Sequence, residues 1–152
     1  MQRVLFVCLG NICRSPMAEA LFRQAISKSG SAIQVDSAAT SRWEHGNPIH
    51  EGTKRILQAR SCPTENLVSR QITTSDFERY DWIIGMDHQN VKDLRAIAPK
   101  DAQKKIYLYR SVVPQKETED IPDPWYTGNF TQTEQLIEEG IPYWIKKIEQ
   151  NQ

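Results

Sequence analysis

The chain has 152 residues, and its 19 Lys and Arg residues balance its 19 Asp and Glu residues. This length predicts one domain, residues 1–152, with a proper core, and the even charge gives no reason to expect a nucleic-acid partner. No stretch approaches the ~20 apolar residues of a membrane span, and the first residues lack a secretory signal pattern, so no membrane association is expected. Three cysteines do not suggest a disulfide scaffold, which favours a cytoplasmic location.

The strands are predicted from short runs of apolar and β-branched residues, and they alternate with helices. They cover residues 3–7, 33–37, 82–86 and 106–109. Strands in such an alternation form a parallel sheet with both faces covered, so the fold class is α/β. Ligands of these sheets bind beyond the carboxyl ends of the strands, near the switch in strand order.

The helices are predicted from apolar residues that recur on one face. They cover residues 16–29, 49–59, 75–79, 89–97 and 133–148. The short helix 75–79 carries a possible capping box, Ser75…Glu78. In the last helix Pro142 predicts either a kink or a restart, because it lacks the N–H that a continuous helix needs.

The most informative segment joins the first strand to the first helix and reads VLFVCLGNICRSP, residues 4–16. Cys8 ends the strand, and Arg14 follows six residues later. Ser15 is predicted as the N-cap of the helix, and Pro16 suits its first position.

This loop is a candidate anion site. Backbone N–H groups at a helix N-terminus point at the ligand, and the helix dipole adds positive charge. The same field lowers the pKa of a nearby thiol from about 8.5 to roughly 3.5–7.5, which predicts a thiolate nucleophile at Cys8. Arg14 adds a planar fork that matches two phosphate oxygens. The alternative is that Cys8 is a buried apolar residue.

Further motifs lie along the rest of the chain. They are VDSAAT at 35–40, Trp43, GNP at 46–48, RQI at 70–72 and DIPDPW at 120–125. Together with VCLGNICRSPMAEA at 7–20, they resemble the low-molecular-weight protein tyrosine phosphatases over essentially the whole chain. The resemblance implies a three-layer α/β sandwich with a four-stranded parallel sheet of flavodoxin-like order 2-1-3-4. It also implies hydrolysis of protein phosphotyrosine and small aryl phosphates through a cysteinyl-phosphate intermediate, without a cofactor.

The resemblance assigns three catalytic residues. Cys8 is the nucleophile, and Arg14 with the loop N–H groups holds the phosphoryl oxygens. Asp123 is the general acid for the leaving phenol, and it lies in a segment rich in Pro and acidic residues, 117–125, which is a candidate flap. The alternative for Asp123 is an ordinary turn aspartate before proline.

The substrate-binding residues are expected in the loop and in two aromatic segments. In the loop they are Leu9, Gly10, Asn11, Ile12, Cys13 and Ser15. The walls of the cleft are Trp43, Trp125 and Tyr126, although Trp43 could instead be simple loop packing. An aromatic slot favours a planar phenyl phosphate. If the slot is deep, the shorter phosphoserine side chain is expected not to reach the phosphate site at its base.

Several residues have supporting roles or none. Ser15 is expected to donate to the Cys8 sulfur, and Ser37 to lie near Asn11. Family members commonly carry a histidine three residues before the Arg-Gln pair, where this chain has Leu67, so that part of the loop's support is in doubt. Cys13 is either a resolving thiol for Cys8 or filler behind the loop.

The expected partners are phosphotyrosine-containing proteins, with phosphate and other oxyanions as inhibitors. No metal site is expected, because His45, His50 and His88 lack a metal-ligand spacing. Phosphoarginine hydrolysis is an alternative on the same fold, but that branch of the family has a threonine where this chain has Ile12.

Two more distant alternatives are an arsenate reductase and a non-enzymatic phosphotyrosine-binding module. Arsenate reduction needs additional cysteines, and no cysteine follows Cys62. A binding module would be supported by the loss of Cys8 or Asp123, and both are present.

Overall fold

A four-stranded parallel sheet forms the centre of the computed structural model, which describes residues 1–151. Its strands are β1 (Gln2–Cys8), β2 (Ile33–Ala39), β3 (Trp82–Gly85) and β4 (Ile106–Leu108). They lie in the order β2-β1-β3-β4, and every neighbouring pair is parallel. The predicted fold class and strand order are therefore confirmed.

Helices cover both faces of the sheet. They are α1 (Arg14–Ser29), α2 (Glu51–Ala59), α3 (Asp76–Arg79), α4 (His88–Ile97), α5 (Pro124–Thr127) and α6 (Phe130–Gln150). Helices α1, α2 and α6 pack together on one face, while α3 and α4 contribute to a second core on the other. The molecule thus has three layers.

Strand β1 lies at the centre of both cores. Val4 and Phe6 point into the core beneath α1 and α6, whereas Leu5 and Val7 point into the core beneath α4. Because β1 pairs with β2 on one side and β3 on the other, the strand order switches at its carboxyl end. Cys8 is the last residue of β1, so the fold places it at this switch point.

The first helix begins earlier than the sequence predicts. Cys13 is its N-cap and makes no side-chain capping bond, so the predicted cap at Ser15 is wrong. Arg14 and Ser15 already belong to the helix, and Pro16 is its third residue. The Ser15 hydroxyl instead faces the Cys8 sulfur. The predicted end is correct, because Gly30 adopts a left-handed φ of 74° there.

Other helix starts also differ from the sequence prediction. Ser75 makes no capping bond to α3, so the Ser75…Glu78 capping box is wrong, and its hydroxyl contacts Thr73 Oγ1 at 2.9 Å. Helix α2 begins at Glu51 rather than residue 49, and His50 caps it. A real capping box starts α4, where Asp87 and Asn90 each satisfy the other's backbone N–H.

Helix α6 runs without interruption through Pro142 from Phe130 to Gln150, three residues longer at its start than predicted. Pro142 has no N–H to donate to the Glu138 carbonyl. Because Glu138 is exposed, water can donate a hydrogen bond to that carbonyl instead. Trp144 and Ile148 lie fully buried on its inner face. None of the helices within residues 1–151 combines the length and apolarity that a bilayer span needs.

Candidate active site

A cavity of about 200 Å³ opens at the carboxyl end of β1. The loop from β1 into α1, residues 8–15, forms its floor, and we call this segment the phosphate loop. The residues that line the cavity are Cys8, Leu9, Gly10, Ile12, Cys13, Arg14, Trp43, Glu44, Asp123, Trp125 and Tyr126. Except for Glu44, all of them are predicted site residues. Glu44 carries no motif of its own and was missed.

The Cys8 sulfur lies at the floor of the cavity. The Asn11 N–H donates to it at 3.3 Å, and the Ser15 hydroxyl lies 3.1 Å away. Asn11 has a left-handed φ of 56°, which few residues other than glycine and asparagine adopt readily. This turn directs the Asn11 N–H inward, and both groups can donate to a thiolate.

Side chains behind the phosphate loop fix its shape. The Asn11 amide donates to the Ser15 and Ser37 hydroxyls at 2.7 and 2.9 Å, and the Ser37 hydroxyl donates to Glu19 at 2.6 Å. The Asn11 side-chain oxygen accepts the Arg70 N–H at 3.1 Å. The side chains of Asn11, Ser15 and Ser37 therefore lie behind the loop and do not line the cavity.

The segment that holds Asn11 is itself held by an ion pair. The Arg70 guanidinium donates to both Asp76 carboxylate oxygens at 2.9 and 3.1 Å, and Thr73 N–H donates to the same carboxylate at 2.8 Å. Burial opposes ionisation of Asp76, but the hydrogen bonds from Arg70 and Thr73 outweigh it and lower the pKa of the carboxyl. The sequence shows only an RQI motif here and does not indicate this pair.

Arg14 is almost fully buried, at 1 % exposure, with its charge facing two carboxylates. One terminal nitrogen donates to Asp87 at 2.6 Å and to the Ile121 carbonyl at 2.9 Å, and the other lies 3.3 Å from Asp123. Within residues 1–151 its Nε has no hydrogen-bond partner. Burial lowers the pKa of the guanidinium, but the charges of Cys8, Asp87 and Asp123 outweigh burial and raise it.

Asp87 is a site residue that the sequence analysis missed. It follows β3 and caps α4, and its carboxylate contacts one terminal nitrogen of Arg14 while Asp123 lies near the other. The sequence does place Asp87 just after β3. Because the carboxyl ends of the neighbouring strands β1 and β3 meet at one edge of the sheet, this position could have indicated a residue close to the site.

Cys13 lies in the phosphate loop, is buried and lines the cavity. Burial, together with the charges of Cys8 and Asp123, raises the pKa of the Cys13 thiol to about 12. It therefore stays protonated at neutral pH.

Comparison with known proteins gives one consistent result. The family model described as low molecular weight phosphotyrosine protein phosphatase matches residues 3–152. The chain belongs to this phosphatase family. A low molecular weight protein-tyrosine-phosphatase of Bacillus subtilis, YfkJ, is 43% identical over 96% of the chain and 95% of its own length. Its crystal structure matches with a TM-score of 0.95 at 42% identity and covers 100% of this chain and 97% of that one.

Two further proteins are also similar to this chain. The low molecular weight protein-tyrosine-phosphatase PtpA of Staphylococcus epidermidis is 42% identical over 97% of the chain and 94% of its own length. The structure of a Drosophila arginine phosphatase matches with a TM-score of 0.89 at 32% identity, covering 97% of this chain and 98% of that one. The phosphatase described here is thus a hydrolase whose fold is shared by relatives named for different phosphorylated residues.

The mouth of the phosphatase cavity carries three exposed aromatic side chains. We call Trp43, Trp125 and Tyr126 the aromatic rim, and they are 77 %, 56 % and 76 % exposed. Beside them, Asp123 caps the short helix α5, because one of its oxygens accepts the Trp125 N–H at 3.0 Å. The aromatic rim is exposed to solvent, in contrast to the buried phosphate loop beneath it.

Leu67, at the position where the family resemblance leads one to expect a histidine, is 6 % exposed and packs in the core beneath α1. An aliphatic side chain offers no hydrogen bond to the phosphate loop. The support of Asn11 in this phosphatase comes instead from Ser37 and the Arg70 backbone.

The three histidines have separate structural contacts. His45 accepts the Gln71 N–H, His50 accepts the Gly52 N–H, and His88 pairs with Asp120 at 2.6 Å. Among residues 1–151 no group of three His, Cys, Asp or Glu side chains is arranged to hold a metal ion.

Proposed function

We propose that this phosphatase hydrolyses phosphotyrosine in proteins in two steps, with Cys8 as nucleophile and Asp123 as general acid. One observation carries the proposal. The Cys8 sulfur lies beneath a cavity whose wall holds a buried arginine, and Arg14 lies 3.3 Å from the carboxylate at the mouth. The candidate nucleophile, charge-stabilising cation and proton donor therefore line one cavity, which supports the proposal.

In the first step, the phosphoryl oxygens bind the loop N–H groups and Arg14. A dianion takes the place of the Asp123 oxygen next to the guanidinium, and this leaves that oxygen free to carry a proton. The Cys8 thiolate attacks phosphorus, the bond to the phenol oxygen breaks, and Asp123 gives its proton to that oxygen. A phenol has a pKa of about 10, so it leaves poorly without this proton.

In the second step, water attacks the cysteinyl phosphate. The Asp123 carboxylate takes a proton from the water, the bond between phosphorus and sulfur breaks, and inorganic phosphate forms. The departing thiolate receives hydrogen bonds from the Asn11 N–H and the Ser15 hydroxyl, which lie 3.3 and 3.1 Å from the sulfur. These contacts lower the barrier to leaving.

The aromatic rim supports a preference for aryl phosphates. Trp43, Trp125 and Tyr126 offer flat apolar faces to a phenyl ring at the cavity mouth. A phosphoserine side chain is shorter and has no ring, so it offers the aromatic rim no flat apolar surface to pack against.

The decisive experiment compares Cys8→Ser with Cys62→Ser, since Cys62 is buried and does not line the cavity. Cys8→Ser should abolish turnover of a phosphotyrosine peptide yet still bind it, because Arg14 and the loop N–H groups remain. Cys62→Ser should keep turnover. Rapid-quench mass spectrometry of wild type should find phosphate on Cys8. Residual turnover by Cys8→Ser within tenfold of wild type would sink the assignment.

Phosphoarginine is the second candidate substrate, favoured by the likeness to an arginine phosphatase. Against it, Ile12 lines the cavity where the resemblance associates that branch with threonine. Phosphate release from matched phosphotyrosine, phosphoserine and phosphoarginine peptides separates the candidates. We expect phosphotyrosine to have the highest kcat/KM, and Ile12→Thr to shift the ratio towards phosphoarginine.

A further inference from the structure

His50 connects the phosphate loop to the flap, residues 117–125. It directly precedes α2, and its backbone N–H donates to the Ile12 carbonyl at 2.9 Å. Three residues later, the buried Thr53 hydroxyl donates to the Cys13 carbonyl at 3.1 Å. The start of α2 is therefore fixed to the back of the phosphate loop at two points.

The imidazole of His50 is fixed in turn. Its Nδ1 accepts the Gly52 N–H at 2.9 Å, which caps α2 and sets the orientation of the ring. One face of the ring stacks on Phe130, with centroids 4.8 Å apart and planes 24° apart. Phe130 packs so closely that a Cβ at Gly52 would lie 2.6 Å from its ring, so this position requires glycine.

The same imidazole also contacts the ring of Trp125. The two ring centroids are 5.7 Å apart, and the planes are at 84°, a T-shaped contact. The Trp125 side chain is more than half exposed, at 56 %, so few contacts determine where its indole lies. The imidazole of His50 therefore supports one wall of the cavity.

We infer that His50 is a positioning residue that holds the Trp125 indole as a wall of the aryl cleft and so sets the affinity for aryl phosphates. The inference rests on the proposed function. His50 does not line the cavity and has no contact with the phosphoryl site through its side chain. Its side chain acts on the leaving-group half of the substrate through Trp125, while the phosphate half depends on Arg14 and the loop N–H groups.

Two matched substitutions separate the role of the His50 ring from its role as the N-cap of α2. His50→Asn keeps a strong N-cap acceptor for the Gly52 N–H but removes the ring. His50→Phe keeps an aromatic ring against Phe130 and Trp125 but removes the acceptor. Both leave the backbone bond to Ile12 intact.

The measurements are KM for phenyl phosphate and for a phosphotyrosine peptide, and Ki for inorganic phosphate. We expect His50→Asn to raise both KM values about three- to tenfold, the range of one aromatic contact. The Ki for phosphate should stay unchanged. In His50→Phe, KM should stay within about twofold of the wild-type value, while Tm should fall because the variant loses a helix cap. His50→Ser, another strong N-cap, replaces His50→Asn if that variant does not fold.

A double substitution tests whether the effect passes through Trp125. Trp125→Ala alone should raise KM for phenyl phosphate, and adding His50→Asn should raise it no further, because coupled residues are not additive. An equal rise in both backgrounds, a parallel rise in the phosphate Ki, or no rise at all would each overturn the inference. Failure of the nucleophile assignment would appear separately, as turnover by Cys8→Ser.

Discussion

The phosphate loop and the aromatic rim face the same cavity but are built in opposite ways. Cys8 and Arg14 are 3 % and 1 % exposed, and each has several hydrogen-bond partners. Trp43 and Tyr126 are 77 % and 76 % exposed. The loop is fixed from behind by the side chains of Ser37 and Thr53 and by the Arg70 N–H, whereas in the rim Trp125 has a ring contact with His50.

This difference assigns the two halves of the reaction to two kinds of structure. Stabilising a transferring phosphoryl group needs donors that are already in place, and a buried, cross-linked loop supplies them. Recognising different aryl groups needs surface area rather than a fixed array of donors, and an open rim supplies that. Substitutions in the loop should therefore lower kcat, and substitutions in the rim should raise KM.

The largest effect is expected at Asp123. This residue lies in the flap beside the rim, but it is assigned to the chemical step. Asp123→Asn should slow phosphotyrosine hydrolysis about 10²–10⁴-fold, the usual contribution of a positioned acid. Hydrolysis of a nitrophenyl ester should slow far less, because its leaving group needs no proton. The measurement is kcat/KM across a leaving-group series, because kcat/KM reports cleavage of the phosphorus–phenol bond and not the later hydrolysis of the cysteinyl phosphate.

Asp120→Asn is the matched control, since Asp120 lies in the same flap, is exposed and pairs with His88. It should leave the series unchanged. An equal fall in kcat/KM for all esters in Asp123→Asn would assign Asp123 to flap packing. If Asp120→Asn showed the leaving-group effect instead, the acid would be Asp120.

The second effect concerns the centre of the loop. Arg14→Lys should lower kcat about 10²–10³-fold, the loss expected when one charge-stabilising donor is removed. An ammonium cannot make the bidentate fork, so vanadate and phosphate should also bind more weakly and protect less against heat. Arg42→Lys, at an exposed position, should change neither property. Normal turnover and phosphate binding by Arg14→Lys would make Arg14 structural.

The third effect is on stability and is pH-dependent. Asp76→Asn should lower the free energy of unfolding by about 1.5–3 kcal/mol at pH 7, because it removes a buried, charge-assisted partner of Arg70. Asp101→Asn, which is exposed, should change it little. Chemical denaturation gives both values, and equal stability of the two variants would contradict the role given to the pair.

The pKa of Asp76 in the fold lies below its ordinary value, about 3.9, so the unfolded chain binds its proton more tightly. The stability it provides is complete above that ordinary value and is lost as pH falls through the lower folded pKa. Below about pH 4, the Tm of wild type should therefore fall more steeply with decreasing pH than the Tm of Asp76→Asn. Parallel Tm curves would show that another group dominates the acid limb.

The smallest effect is expected at the rim. Trp43→Ala should raise KM for phenyl phosphate about two- to tenfold, with kcat and the phosphate Ki nearly unchanged. Tyr143→Ala removes an exposed aromatic ring from α6, outside the cavity, and should leave KM alone. A fall in kcat without a rise in KM would show that Trp43 belongs functionally to the phosphate loop.

Sequence patterns predicted what depends on neighbours in the chain. The strands, the sheet order and the place of Cys8 follow from local periodicity and from a family resemblance carried by contiguous motifs. The cap at Ser15 was predicted wrongly because its hydroxyl is used for the Cys8 sulfur, 3.1 Å away, and not for the helix. A local rule cannot detect such competition between two partners.

Contacts between distant segments were not predictable in the same way. Asp87 meets Arg14 across 73 positions, and the Arg70 N–H meets Asn11 across 59. The His50 contact with Trp125 joins a helix start to a flap that lies far along the chain. Each depends on how the loops pack at one edge of the sheet, and only the folded molecule defines that packing.

The capping role of Asp123 has a stereochemical consequence. One carboxyl oxygen is committed to the Trp125 N–H at 3.0 Å, while the other lies 3.3 Å from Arg14. The two oxygens are therefore not equivalent, and under the proposed mechanism the transferred proton is carried by the second one. A carboxyl that could rotate freely would present either oxygen, whereas the cap at the start of this four-residue helix fixes which oxygen faces Arg14.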